Sequence, residues 1–557
     1  MIRYGKSVFK GWQMGRRLIK ENNTKKHARM KKINIHLHSI INIVLNIFLI
    51  SIISVLPFYS TNGYAQIGTD KNLFLFHCSK YIFGILLPLQ IIYIIIYNVI
   101  YKPNIKMLIK NIHITDIFVI CYGIAILLSY LSTDFRNEAT RGTEGWYMGI
   151  LTQLIFLLTY FFTSKVWNRK NWVLALFIPV STIVYIIAIL NRFGIYPIEM
   201  QSARPQFIST IGNINWYCGY MVTLLFAIMY MYWFKDDYKF WQKILLLMYI
   251  AIGLGSLVTQ GSSSGIFALF GVLLFMFIIS INDSIRIQKY FNMLFALSSV
   301  CLLIYAIRQL FPESFTYKET ATELLTNSFV PIVMFLVSAF VLAGVRICSV
   351  KFALPMKFFR FLRNIVLGMS IIFIIIFTGL IIFNTSNPGA ISIFENSSIF
   401  TFSPEWGSKR GATWMASLMV FSEQNLWKKI VGIGPDCMSV YMYQSGSAEL
   451  ITFLNEQFPT QRLTNAHNEW ISILVNLGVL GLVCFVGIVS SSIYRFLKKS
   501  LNNKSLLTGI VGACGISVLA YTINNLFSFQ QTLNGINLFI ILGVGENIIR
   551  ELKTEDI

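Results

Sequence analysis

Three residue types in this chain are suited to chemistry at a membrane edge. His467 is the sole histidine of the longest polar stretch, and it stands in segment 461–482, QRLTNAHNEWISILVNLGVLGL, after Asn465 and directly before Asn468 and Glu469. An apolar helix begins there. Helix N-termini leave unpaired N–H groups and a partial positive charge, so the junction suits an anionic group or a proton-transfer residue. A neutral imidazole can take a hydroxyl proton near neutral pH. Arg204, in SARPQFISTIGNINWYCGY, and Arg410, in SKRGATWMAS, offer the complementary chemistry. A guanidinium is a planar, permanently charged fork of donors that pairs bidentately with phosphate oxygens. Two such groups and one histidine on one membrane face suit a lipid-linked diphosphate. Each also has a plainer role: Asn465 or Asn468 capping a helix, His467 an interfacial residue, the arginines anchors on lipid phosphates.

The elements that must position these residues follow from composition. The chain has 557 residues, 55% hydrophobic and 13% charged, with a mean hydropathy of +0.64. That is more apolar surface than a soluble core of this length hides, so the expected class is all-α, a polytopic integral membrane protein. A net charge of +22 would suggest nucleic acid in a soluble protein. Here the basic residues lie mostly in short loops and tails beside apolar runs, which is membrane orientation and no nucleic-acid partner. The eight cysteines are spaced singly, most of them inside apolar runs with Cys437 the exception, so neither a disulfide framework nor a metal site is implied.

Hydropathy predicts about 14 spans, at 33–57, 73–101, 114–132, 147–164, 172–191, 215–234, 244–259, 265–281, 293–308, 330–348, 365–384, 470–494, 506–527 and 534–549. The chain then divides into a basic cytoplasmic tail (1–32), N-terminal transmembrane helices (33–384), a large extracytoplasmic loop (385–469), C-terminal transmembrane helices (470–549) and a short cytoplasmic tail (550–557). The tail 1–32 carries eleven Lys or Arg against one Glu, without the small-residue cleavage site of a signal peptide. Sorted by this topology, about 33 basic residues fall on the cytoplasmic side and about 12 outside, which sets the orientation.

The 85-residue connection 385–469 is far longer than most other loops, and loops of that length usually carry function or their own structure. Within it, 410–427 reads as an amphipathic helix with Trp414, Leu418 and Phe421 on one face, and 448–458 as a second. Gly432, Gly434 and the following Pro-Asp punctuate the ground between them.

Taken in order, Arg204, Gly212-Asn213-Ile214-Asn215, Arg410-Gly411 with Trp414, Gly432-Ile433-Gly434, His467-Asn468 and Leu477-Gly478-Val479-Leu480-Gly481 make a pattern. It resembles the O-antigen ligase and O-antigen polymerase family of bacterial membrane glycosyltransferases, over about residues 115–545. The resemblance implies transfer of a glycan from a polyprenyl (undecaprenyl) diphosphate carrier to an acceptor hydroxyl on the outer face of the bacterial cytoplasmic membrane, with no metal and no cofactor. Arg204 and Arg410 would engage the diphosphate and His467 would serve the acceptor, with Asn213, Asn215, Gly432, Gly434 and Asn468 in support. The implied partners are the polyprenyl-diphosphate-linked glycan donor, a glycan or glycolipid acceptor, and membrane lipids. The chain departs from the family where Ser263-Ser264-Gly265 replaces a Ser-Arg-Gly pattern, where Asn213-Ile214-Asn215 replaces Asn-Pro-Asn, and in exceeding twelve spans. No third arginine is therefore assigned at Ser264.

Other readings stay open at this point. A surface or capsular polysaccharide polymerase would use the same chemistry on another acceptor. A lipid-linked oligosaccharide flippase or transporter would be polytopic too, although such proteins need ionisable groups deep in their spans and most spans here lack them at their centres. A non-catalytic scaffold of an export complex is the third.

Overall fold

A computed structural model describes residues 27–103, 111–281, 283–315, 317–351, 356–391, 394, 397 and 399–555. Most of the expected basic tail 1–32, and of the basic loop after residue 102, lies outside the described residues. Long apolar stretches fold as helices because lipid offers no partner to backbone N–H and C=O groups, which must pair within the segment. Among the described residues thirteen helices are long and apolar enough to cross a membrane, the first being His27–Val55 and the last Thr532–Lys553. The chain is a polytopic membrane protein. Its strands among the described residues are one two-residue antiparallel ribbon, Phe207–Ile208 against Gly212–Asn213.

The expected span 147–164 is the exception. It is a shorter apolar helix, Ile150–Val166, whose last turn widens to π geometry at Phe162–Val166. Its start is set by a side chain from far along the sequence: Asp436 Oδ2 accepts the N–H groups of Thr143 (2.7 Å) and Met148 (3.0 Å), holding 143–148 as a turn before the helix begins.

Burial ranks the helices. Thr532–Lys553 and Ile214–Phe234 are mostly enclosed by protein, whereas Met356–Ser386 has none of its apolar window buried and belongs at the lipid-facing edge. The end of the bundle that carries the 385–469 segment is termed the loop end, and the end where His113, Asp116, Arg495, Glu546 and Arg550 meet is the opposite end. At the opposite end, buried charges join three helices, Ile114–Ser132, Glu469–Asn502 and Thr532–Glu555. Glu546 is fully buried and pairs with His113 (2.5 Å) and with Arg495, while Asp116 pairs with Arg550 (2.6 Å) and Lys165 (3.2 Å). A carboxylate inside the last span is thus part of a paired group, as a buried charge must be.

The long connection contains four helices, Trp406–Glu423, Leu426–Val431, Met438–Gln444 and Ala448–Gln457. They enclose a small core that includes Val420, Ile433, Met438, Leu450, Leu454 and Val475. The single helix expected over 410–427 is two. The first stops at Glu423, and Asn425 starts the second by accepting the Lys428 N–H at 2.9 Å, an N-cap that interrupts an otherwise continuous apolar period. Nor do its three aromatic and apolar residues share one environment: Trp414 stacks near Phe527 (6.2 Å between centroids), Leu418 is exposed, and Phe421 packs on the small core.

The loop is fastened to the bundle through two glycine positions. Gly478 adopts φ +69°, which breaks the Glu469–Asn502 helix. Carbonyls that regular helix would occupy are freed, and Ile433 N–H donates to Val475 O (3.2 Å) and Gly434 N–H to Asn476 O (3.1 Å). A Cβ on Gly432 would lie 2.1 Å from Asn476 O, and one on Gly478 would lie 2.2 Å from Ile430 O. Only residues without a side chain permit this approach.

Candidate functional site

His467 sits in a left-handed turn (φ +48°) at the loop end. Asn465 Oδ1 accepts its N–H at 2.8 Å, and Thr413 Oγ1 donates to Ala466 O at 2.9 Å, so residues on both sides of the turn are held. Asn468 then caps the helix by accepting Ile471 N–H at 3.1 Å, while its Nδ2 donates to Leu526 O at 3.0 Å. The capping role expected of Asn468 and the special position of His467 therefore coexist.

The hairpin after residue 524 ties His467 to Arg410. Arg410 Nε donates to Phe527 O (3.3 Å), and its guanidinium lies 5.9 Å from the Phe527 ring. Two residues on, Phe529 meets the His467 ring edge-on, with centroids 5.1 Å apart. The hairpin thus carries one aromatic against each functional group. Burial, and next the Arg410 cation, push the His467 imidazole down to about 4, so at physiological pH it is neutral. Burial also lowers Arg410, against the pull of the Glu319 carboxylate nearby.

Arg204 belongs to a neighbouring group of loops. Its side chain is exposed and makes no hydrogen bond to the described residues. It lines a pocket of about 120 Å³ with Arg192, Tyr196 and Phe207. Arg192, which sequence reasoning missed, is buried; it donates to Pro205 O (2.8 Å) and Gln260 O (2.5 Å) and faces the Tyr317 ring at 4.6 Å. An arginine closing an apolar helix at the loop end was its only sequence signal. Asn213 caps the helix Ile214–Phe234 through Asn215 N–H (2.8 Å), and Asn215 Oδ1 accepts Ser262 Oγ at 2.9 Å. Ser264 is buried against Ser262 and Cys218, and the cation at this turn is Arg192 instead. Arg410 and His467 are brought together through Phe527 and Phe529, near enough for the Arg410 cation to act on the His467 imidazole. Arg204 reaches them only through neighbours, by way of Arg192, Tyr317 and Glu319. Gly432 and Gly434 lie apart from both, at the joint with the Glu469–Asn502 helix described above.

Next to the His467 turn, reached through Asn465 and Phe529 and not lined by His467 itself, lies a cavity of about 60 Å³, also missed in the sequence, whose wall includes Trp146, Asp436, Asn465, Glu469, Ser472 and Gln530. Glu469 accepts both contacts of the Tyr521 hydroxyl, at 2.8 and 3.0 Å, and one from Asn525. Burial raises the Asp436 carboxyl to about 7 in spite of its two backbone donors. The carboxylates come from segments on either side of the His467 turn, and no local spacing announced their meeting.

Residues 320–486 match the family model described as O-antigen ligase. The matched segment contains Arg410, the 432–434 and 478 joint, and His467; Arg204 precedes it. No curated protein matches the chain.

Proposed function

With its 320–486 segment assigned to the O-antigen ligase family, we propose that the chain transfers a glycan from a polyprenyl diphosphate carrier to an acceptor hydroxyl at the loop end, on the extracytoplasmic face of a bacterial cytoplasmic membrane. The carrying observation is the contact pair on one hairpin: Phe527 on Arg410 and Phe529 on a His467 that burial and the nearby cation keep neutral.

In the step proposed, the acceptor oxygen attacks the anomeric carbon and the bond from that carbon to the diphosphate oxygen breaks. The electron pair leaves with the diphosphate, and the hydroxyl proton goes to the His467 imidazole. Arg410, with Arg204 supplying a second guanidinium, stabilises the charge that develops on the leaving group. This needs no metal to neutralise the diphosphate. Ligase and polymerase share the step and differ in the acceptor.

Single-turnover transfer by the purified chain, with a labelled lipid donor, tests the assignment. His467→Ala is expected to lose roughly 10²- to 10⁴-fold in rate, the usual range for a general base, with donor binding retained. Arg410→Ala is expected to weaken donor binding itself. Near-normal transfer by His467→Ala would overturn the base role.

A further inference from the structure

The cavity next to the His467 turn holds more hydrogen-bonding capacity than the protein uses. Asn465 Nδ2 and Ser472 Oγ are buried donors without a partner, and Gln153 Oε1 is a buried acceptor without one. These three residues line the cavity together with Gln530, and Asn465 and Gln153 are each more than nine-tenths buried. Asp436 and Glu469 add carboxylate oxygens, and among the described residues Asp436 Oδ1 has no partner. Buried polar groups left unpaired are costly, so a set of them around one space points to something that binds there.

The chemistry of the wall narrows what that is. Amides, a serine hydroxyl and carboxylates present donors and acceptors side by side, matching vicinal hydroxyls, each of which both donates and accepts. Trp146, in edge-on contact with Phe529 at 4.6 Å, supplies an apolar surface for C–H groups. At about 10–15 Å³ per water site the space of about 60 Å³ takes roughly four to six waters, which suits one edge of a single sugar ring and is too small for a chain. Above about pH 7, where Asp436 is ionised, the two carboxylates disfavour an acidic sugar by charge, and the test below is read there.

We propose that this cavity is a subsite for one neutral or amino-bearing sugar residue, seated next to the His467 turn through the shared Asn465 and Phe529. Its placement on the acceptor side rests on the transfer reading above. The sugar's hydroxyls satisfy the unpaired amides and Ser472, and Asp436 and Glu469 accept from hydroxyl or ammonium groups.

Saturation-transfer NMR on the full-length purified chain tests this with three probes: methyl glucoside, methyl glucosaminide and methyl glucuronide. The first two are expected to receive saturation and the glucuronide is not. Ser472→Ala removes a hydroxyl that bonds to nothing in the protein, so it is expected to weaken glycoside binding by roughly 2- to 10-fold, the worth of one hydrogen bond, with the thermal midpoint unchanged or raised. Gln530→Met is expected to weaken binding as well. Equal binding of the glucuronide, no binding of any glycoside, or binding indifferent to both substitutions would overturn the subsite. Failure of these binding tests while transfer still depends on His467 removes the subsite and keeps the reaction. Transfer indifferent to His467 and Arg410, with glycoside binding intact, removes the reaction and keeps the sugar cavity.

Discussion

At the residue scale the distinctive quantity is the protonation state of His467. An ordinary histidine near 6.5 would lose its base form as the medium becomes mildly acidic, whereas burial and Arg410 hold this one down to about 4. The acid limb of the transfer rate is therefore expected near pH 4, and a limb near 6.5 in single-turnover measurements would contradict the site geometry. For folding the sign is fixed by the same shift. Because the folded pKa is depressed, the contribution of His467 to stability is complete above 6.5 and is lost as pH falls through the folded value of about 4. Asp436 runs the other way: its folded pKa is raised from 3.8 to about 7, so its contribution is complete below 3.8 and lost as pH rises through about 7. Asp436→Asn, which keeps an oxygen acceptor for Thr143 and Met148, is expected to flatten the fall in melting temperature between those limits. His467 was legible in the sequence because a lone histidine stood before an apolar run. Asp436 was not, because its two donors, Thr143 and Met148, stand almost 300 residues earlier in the chain.

At the scale of elements, the joint between the loop and the bundle is the feature most open to test. Gly432→Ala would place a Cβ 2.1 Å from Asn476 O in a backbone of φ +88°, so the close approach must open. The cost from backbone strain alone is about 1–3 kcal/mol, and His467 lies on the element that shifts. The expected outcome is a lower melting temperature together with weakened transfer, and an alanine variant normal in both would show that the joint is dispensable. At the opposite end, Glu546→Gln takes the charge from a group that answers His113 and Arg495. Breaking a buried pair by removing one partner costs about 3–5 kcal/mol, so a marked drop in thermal stability in detergent is expected, with donor affinity of the surviving folded protein unchanged. The glycines were visible in the sequence as turn punctuation around 432–434 and as the Leu-Gly repeat at 477–481. Their mutual contact was not, since each motif reads as a local break and only docking pairs the freed carbonyls of one with the N–H groups of the other.

Across the whole molecule, the proposed chemistry depends on which face carries the 385–469 connection. The charge asymmetry leads us to propose that it lies outside, with both termini in the cytoplasm. Cysteines introduced at exposed positions of that connection, such as Leu426, are expected to react with an impermeant reagent in intact cells. Reaction only after the inner face is opened would put the site on the wrong side for a lipid-linked donor displayed outside. The sequence by itself determined the membrane class, the run of apolar helices, the long helical connection, and the residue types able to bind a diphosphate or move a proton. Hydropathy and helix caps are local properties, carried by residues within a few turns of one another. Tertiary structure alone decided that a hairpin at 525–531 stands between Arg410 and His467, that Arg192 occupies the turn where no third arginine was assigned, and that Asp436 and Glu469 share a cavity with unpaired amides. Those meetings depend on how helices separated by tens to hundreds of residues pack, and helix packing is set by side-chain shape across the bundle, which no periodicity within one segment encodes.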